Sequence, residues 1–493
     1  MTNKLWNTFK DYTNAIKTKL QKRTDNSSHL YINEDIEIRE LVDQLESEDT
    51  FHKLVLETCS SFSGDFHKQS EIAFKETVKN FFRRSNYYID IYDGKNLNDD
   101  TFFQNFQDAF NKRTTEITYL ALMEFVQFSE KCMDFKTFQI RKFKKSELEE
   151  TFQNMINRIF YPYALIDIAQ LEHHWFIYVK ETCKAERLGY LNINFKDFYH
   201  VRMEYTQFPK CIESVLKVIT LFDWQADCWR NYSEQRYNIQ KRDLEEGWLG
   251  FNIPVILKLN DSLLNTPKWP PHIPLLTIPK TDPQTDEEIG VEPAETYIYL
   301  DKKETKSFIV FINNIEEPMQ NIDIQKNNWQ FIEVALGYLV KAFFAERLDQ
   351  LLCHITVLEA LLGDKERGFT RRIANRIASI LGATYNEKKT IKKQFDKLYD
   401  IRCDLVHGKQ LSRDVYIGHL SNARNLSRKT ILWFLNLLNH IQKNLLVNHI
   451  SRNIPSRENI LSVLDLDQNN RSKVHQLIEN LPSGFPNVPD WFE

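Results

Sequence analysis

Apolar residues recur at spacings of three and four along most of the chain, a period that predicts a mainly helical protein. In the first two dozen residues Leu5, Phe9, Tyr12, Ile16 and Leu20 share one helical face, and Lys4, Lys10, Lys17, Lys19 and Lys22 fill much of the rest. A basic amphipathic helix of this kind packs on its own domain, grips a partner or lies on a membrane surface. "EIRELVDQLES" and "SEIAFKETVKNFFRRSN" keep the helical period, whereas "NYYIDIYDG" alternates into a turn and reads as a strand. "SELEETFQNMINRIF" opens with Ser146 and Glu149 at capping-box spacing. Residues 1–150 thus read as a mostly helical region.

From 151 to 322 the pattern is mixed and β-rich. "HHWFIYVKE", "GYLNINF", "FNIPVILKLN", "HIPLLTIP", "ETYIYLD" and "SFIVFINNI" predict strands, and "CIESVLKVITLFDWQADCWRNYSEQRY" predicts a helix. Eight of the fifteen prolines fall between 267 and 318, and "PKTDPQTDEEIGVEPAE" reads as a loop or insertion. Beyond Trp329 the helical period is nearly unbroken. "WQFIEVALGYLVKAFFAERLDQLLCHITVLEALLG" predicts one long helix ending at Gly363. "FTRRIANRIASILG" predicts a second, with Thr370 as N-cap and Gly382 as stop. "EKKTIKKQFDKLYDIRCDLVHG" gives a third stopped by Gly408, and residues 412–446 give a fourth. Four helices with short connections make an antiparallel bundle over 323–447, followed by a helical tail over 448–493. The fold class is therefore mainly α, with a mixed α/β N-terminal region and a C-terminal antiparallel four-helix bundle.

Charge changes this picture locally. The chain carries a net −4, yet residues 365–413 hold thirteen Lys or Arg against five Asp or Glu, a local +8 that leaves −12 elsewhere. One basic stretch on an acidic protein concentrates polyanions, unless it is a solvated helix face. The seven cysteines (59, 132, 183, 211, 228, 353 and 403) form no CxxC pair, which suits free thiols in a reducing cytoplasm. No run of about 18 apolar residues predicts a membrane span, and no phosphate-loop or dinucleotide glycine pattern occurs. No cofactor or metal is expected.

The basic stretch ends in "YDIRCDLVHGK". Ile391, Phe395, Leu398 and Leu405 form an apolar stripe, and the vacant position on it is Arg402. A guanidinium there needs a carboxylate, a phosphate or a solvated cleft, with Asp400, Asp404 and Glu359 as protein partners. His407 precedes Gly408 at the helix end, where the negative end of the helix dipole favours a cation. Together, a histidine that moves protons near neutral pH and an arginine that stabilises phosphorane charge can cut RNA without metal. The 2′-hydroxyl would be the nucleophile, so DNA would be spared.

These residues resemble the Apea-like group of HEPN ribonucleases. "IRCDLVHGK" matches the R-x4-H motif from Arg402 to His407, and "ITVLEALLGDKE", "TRRIANRIASILG" and "FDKLYDIRCDLVHGK" follow in the family's order over about 325–447. The resemblance implies a HEPN bundle that homodimerises, so that Arg402 and His407 of two copies form one cleft. It further implies RNA, tRNA included, as substrate, with a role in bacterial anti-phage defence by abortive infection and a phage-derived trigger. Cys403 and Asp404 would support the site; the family usually has a small polar residue where Cys403 stands. Lys409, Arg371, Arg372 and Arg376 would hold the RNA backbone, and residues 1–320 would sense or regulate. Two competing readings remain. One is a non-catalytic HEPN module that dimerises or binds RNA while the N-terminal region carries the activity; the other is a toxin neutralised by a separate partner.

His173 and His174 lack ligand-type neighbours at metal spacing and read as packing or surface. Trp224 and Trp229 sit where they stack bases or, more simply, fill a core.

Overall fold

A computed structural model describes residues 3–20, 31–62, 71–153, 171–184, 208–224, 250–259, 263–264, 277–281, 288–293, 296–324, 326–345, 347–364, 368–409, 413–448 and 455–466. The helices are α1 Asn3–Lys19, α2 Tyr31–Leu45, α3 Asp49–Phe62, α4 Glu71–Arg84, α5 Tyr87–Tyr92, α6 Asp99–Asn111, α7 Lys145–Gln153 and α8 Lys210–Ile219. They continue as α9 Lys302–Ile324, α10 Lys326–Phe344, α11 Arg347–Leu362, α12 Phe369–Leu381, α13 Tyr385–Val406, α14 Arg413–Asn448 and α15 Arg457–Leu466. The strands are β1 Thr114–Met123, β2 Phe125–Phe128, β3 Cys132–Asp134, β4 Gln139–Lys142, β5 Trp175–Lys184, β6 Ile256–Leu259, β7 Thr277–Thr281, β8 Glu288–Pro293 and β9 Thr296–Leu300. The protein is mainly helical, with small sheets and a C-terminal helical bundle. No described helix is long and apolar enough to cross a membrane.

The chain forms two units, each assembled from three stretches. The first comprises residues 1–122, 142–202 and 253–294. Its helical core is built on α1: Leu5, Phe9, Tyr12, Ile16 and Leu20 are fully buried against α3, α4 and α6. The apolar face thus packs on its own domain. The rich aromatic content is spent here, with the Phe9 ring between 4.9 and 5.8 Å from those of Phe82, Phe102, Phe103 and Phe106. Tyr12 and Tyr88 join hydroxyls at 2.6 Å, and Arg83 Nε donates to buried Glu46 at 2.8 Å, so these polar groups in the core are paired. "NYYIDIYDG" is not a strand but α5. Tyr87, Tyr88, Ile91 and Tyr92 are its buried residues, a one-four-five spacing that fits a helix and not a pleat.

Residues 114–123, within the stretch expected to be helical, form β1, which is central in the order β5–β1–β6 of this unit. β1 runs antiparallel to β6, with Thr118 opposite Leu259 and Ala121 opposite Ile256. The proline-punctuated stretch is in part a hairpin, β7 with β8, that pairs Pro279 with Val291 and Thr277 with Pro293. The cap of α7 lies two residues earlier than expected: Lys144 N–H donates to Glu147 Oε2 at 2.8 Å.

The second unit comprises residues 123–141, 203–252 and 295–493. β2 pairs in parallel with β9, and β3 with β4 forms an antiparallel hairpin. "SFIVFINNI" lies inside α9, where Phe308, Phe311, Ile312 and Ile315 are buried at helical spacing. Asp301 and Glu304 cap that helix reciprocally at 2.9 Å. The long segment from Trp329 to Gly363 is two helices, α10 and α11. Arg457 joins the start of one to the end of the other: it lies 5.7 Å from the Phe331 ring and donates from Nε to the Leu361 carbonyl at 3.0 Å. The pair is therefore an antiparallel hairpin. No glycine or proline marks its turn, which instead places Phe343 and Phe344 against Phe251 and Phe208.

α12 begins after Gly368, with φ of 79°, and not at Thr370; it ends at Gly382 as expected. α13 opens on a full capping box, Thr384 with Glu387. Inside the bundle, His354 of α11 is buried, with Nδ1 2.8 Å from Ser427 Oγ of α14. Ser427 spends its own proton on the Arg424 carbonyl at 3.0 Å. Burial foremost, then the Arg424 charge, holds this imidazole well below its ordinary titration range.

The unfolded chain protonates His354 below pH ~6.5 while the folded chain does not, so its contribution to stability is full above that pH and is lost as pH falls. Urea unfolding between pH 6.5 and 5 should show an extra slope approaching about 1.4 kcal/mol per pH unit, that of one proton, in the native chain. The slope should be absent from His354→Gln.

Candidate functional site

α13 carries the site, and its rotation decides what Arg402 faces. The buried residues of the helix are Phe395, Leu398 and Ile401. Ile401 occupies the place on the stripe that the sequence assigns to Arg402. Arg402 sits beside the stripe, half-buried, with Leu405 half-buried after it. Its guanidinium lies 5.6 Å from the Tyr399 ring, one turn back, and Nη2 is 4.0 Å from Glu359 Oε1 of α11. Tyr399 in turn meets Phe369 and Phe395, at 6.4 and 6.0 Å between ring centroids. Of the partners weighed for Arg402, Glu359 is the one that approaches it. Burial pushes the Glu359 carboxyl up, and Arg402 partly offsets that. A single 4.0 Å approach is no bidentate clamp, so the five-donor fork of Arg402 retains capacity for a second anion.

The helix ends in a Schellman turn. Gly408 N–H donates to the Leu405 carbonyl at 3.0 Å and Lys409 N–H to the Asp404 carbonyl at 2.9 Å, with Gly408 at φ 78°. His407 is the C-cap residue and is exposed. Asp404 is held by Lys409, whose Nζ reaches Oδ1 at 2.6 Å across the turn. Cys403 is a half-buried free thiol. Thus Arg402 and His407 share one helix end, and Asp404 and Lys409 are spent in part on each other.

The four expected RNA-backbone residues separate. Lys409 and Arg371 are exposed. Arg372 is half-buried, with Nη2 2.6 Å from Asp364. Arg376 is not on the surface at all, at 2% exposure. It donates from Nε to Asp465 of α15 at 2.8 Å and from Nη2 to Asp364 at 2.6 Å, and it also engages the Leu362 carbonyl. Its helical position on the inner face of α12, beside Ile373, Ile377 and Ile380, puts it in the core, where a backbone-binding role is closed to it.

No family model, no curated protein and no solved structure matches the chain. The HEPN resemblance therefore stays a resemblance, carried by the residues quoted for it.

Elsewhere, His174 and Trp224 are buried, and Trp224 Nε1 donates to the Ile219 carbonyl at 2.8 Å in a cluster with Phe128, Phe222, Phe251 and Phe308. That is a core tryptophan. Trp229 lies outside the described residues. Among the described residues no group of His, Cys, Asp or Glu could hold a metal ion. Sequence reading missed Tyr399, although its three-residue spacing before Arg402 is a helical pairing distance.

Two substitutions test this description. Gly408→Ala has open space around the added methyl group, so its cost is conformational alone. It should lower the unfolding free energy by about 1–2 kcal/mol in a denaturant titration. Arg376→Ala leaves Asp465 without that partner and Asp364 with Arg372 in its place, and the same measurement should show a loss of about 3 kcal/mol.

Proposed function

We propose that the chain is a metal-independent endoribonuclease of HEPN type, acting as an abortive-infection effector. The observation that supports this most is the shared end of α13, where a half-exposed Arg402 with spare donors and an exposed His407 stand on one turn and a half of helix. The basic stretch from 365 to 413 supplies the attraction for RNA.

In this reading His407 accepts the proton of a ribose 2′-hydroxyl. The 2′-oxygen then bonds to phosphorus, the bond to the 5′-oxygen breaks, and a second acid, the His407 of another copy, returns a proton to the leaving group. Arg402 stabilises the charge that gathers on the phosphorane oxygens. The products are a 2′,3′-cyclic phosphate and a 5′-hydroxyl. Lys409 and Arg371 remain as backbone contacts, being exposed.

One observation favours a second reading. Arg402 also touches Glu359 and Tyr399, which is a structural use of an arginine. There the bundle would bind RNA or a second copy without cutting, and the remainder of the chain would carry the activity.

The deciding experiment incubates the purified protein with total RNA in EDTA and maps the new ends. Cyclic phosphate ends should form in the native chain and fall by about 10²-fold or more in Arg402→Ala and in His407→Ala, with growth arrest on expression lost in parallel. Undiminished cleavage and arrest in both variants would favour the second reading.

A further inference from the structure

α13 carries a bare ridge along its first half. Tyr385 is 78% exposed, the highest value for a large apolar side chain among the described residues. One exposed aromatic needs no explanation, but its neighbours do. Lys389, Lys393 and Lys397 follow it at four-residue steps and are exposed as well. Each step advances about 6 Å along the axis, so the four side chains form one ridge. None of the three lysines has an ion-pair partner among the described residues. Between Tyr385 and Asp400 five lysines stand against Glu387, Asp396 and Asp400, and Glu387 is spent on the capping box. Like charges four residues apart weaken a helix. The ridge therefore costs α13 stability and suits an external polyanion.

The chemistry of the ridge narrows the polyanion. Phosphates repeated along a strand answer a row of lysines, and an unpaired base answers a bare tyrosine ring by stacking on it. A duplex would satisfy the lysines, but its bases are stacked on one another and offer the ring no face. An acidic peptide would leave the ring unused. We propose that the ridge from Tyr385 to Lys397 is a binding surface for single-stranded nucleic acid. Lys389 and His407 are about five turns apart, roughly 27 Å, and so lie on one side of α13. A strand on the ridge is thereby led toward the helix end. The proposal rests on the nuclease reading for the fate of that strand, and on the ridge alone for its binding.

The test is fluorescence anisotropy of the full chain with a labelled single-stranded deoxyoligonucleotide, a duplex of the same length and a polyglutamate peptide. The deoxy strand has phosphates and bases but no 2′-hydroxyl to be cut, so binding is read apart from cleavage. It should bind ahead of the duplex and the peptide. Replacing Lys389, Lys393 and Lys397 together by Gln should flatten the plot of log affinity against log salt by about 2, since each phosphate contact on a single strand contributes about 0.7. Tyr385→Leu should weaken binding about tenfold, the worth of one stacked base, with the salt slope unchanged, and Tyr385→Phe should not. Replacing Lys302, Lys303 and Lys306 by Gln removes the same charge from exposed positions of α9 and should leave affinity and slope as they are. Thermal melting checks that each variant folds; should one ridge variant fail, the other carries the comparison. No binding of the strand, duplex or polyglutamate binding as tightly, or ridge variants no weaker than the α9 variant would each overturn the proposal. Strand binding at the ridge without cleavage of RNA would uphold the surface and overturn the nuclease reading alone. RNA cleavage untouched by the ridge variants would do the reverse.

Discussion

The end of α11 is buried, and its last carbonyls must find donors. A helix terminus leaves up to four carbonyls unanswered, and inside a bundle no water is at hand to answer them. Here two arginines from other helices do so. Arg376 of α12 engages Leu362, and Arg457 of α15 engages Leu361 and Gly363. Their guanidinium charges are met in turn by Asp364 and Asp465, or spread over the Phe331 ring. One arrangement therefore fixes α10, α11, α12 and α15 at a single point. Glu359 stands one turn before that point, so the carboxylate facing Arg402 is placed by a cap and not by the α13 motif itself.

That dependence limits what could be read along the chain. The stop of α13 was legible at Gly408, while its start was set at Glu387, two residues inside the helix, because the capping box of Thr384 with Glu387 was overlooked. Its rotation was harder to read. Apolar residues at 398, 401 and 405 fit a helix face as well as 398 and 405 with a gap, and only packing shows that Ile401 fills the line. Arg402 then needs less explanation than its place in the sequence suggests, since the edge of a buried stripe is a usual place for an arginine. What remains is a guanidinium with a long approach to Glu359, an aromatic face beneath it and a histidine at the helix end. Arg376 shows the opposite error. Its charge invited a surface role, while its position between Ile373 and Ile377 already placed it on the inner face.

The same distinction holds across the fold. α1 was legible in full, because five apolar residues at helical spacing admit one face only. α5 and the middle of α9 were misread as strands, because aromatic and β-branched residues supply alternation by composition while burial follows the helical period. The hairpin turn between α10 and α11 carries no breaker and could not be found locally. Nor could the interleaving of the two units, since contact between stretches such as 1–122 and 253–294 is a property of the folded chain.

α11 also turns different faces to different neighbours. His354 and Glu359 are five residues apart, about 7.5 Å along the axis and roughly 140° around it. They therefore look to different sides, one toward α14 and the other toward Arg402 of α13. A mid-helix glutamine and histidine on an inward face lower stability relative to leucines, since each leaves a buried polar atom unanswered among the described residues. The arginine-capped end makes the opposite contribution, holding α11 in place despite them. A helix anchored so firmly at one end can carry unsatisfied polar groups along its length.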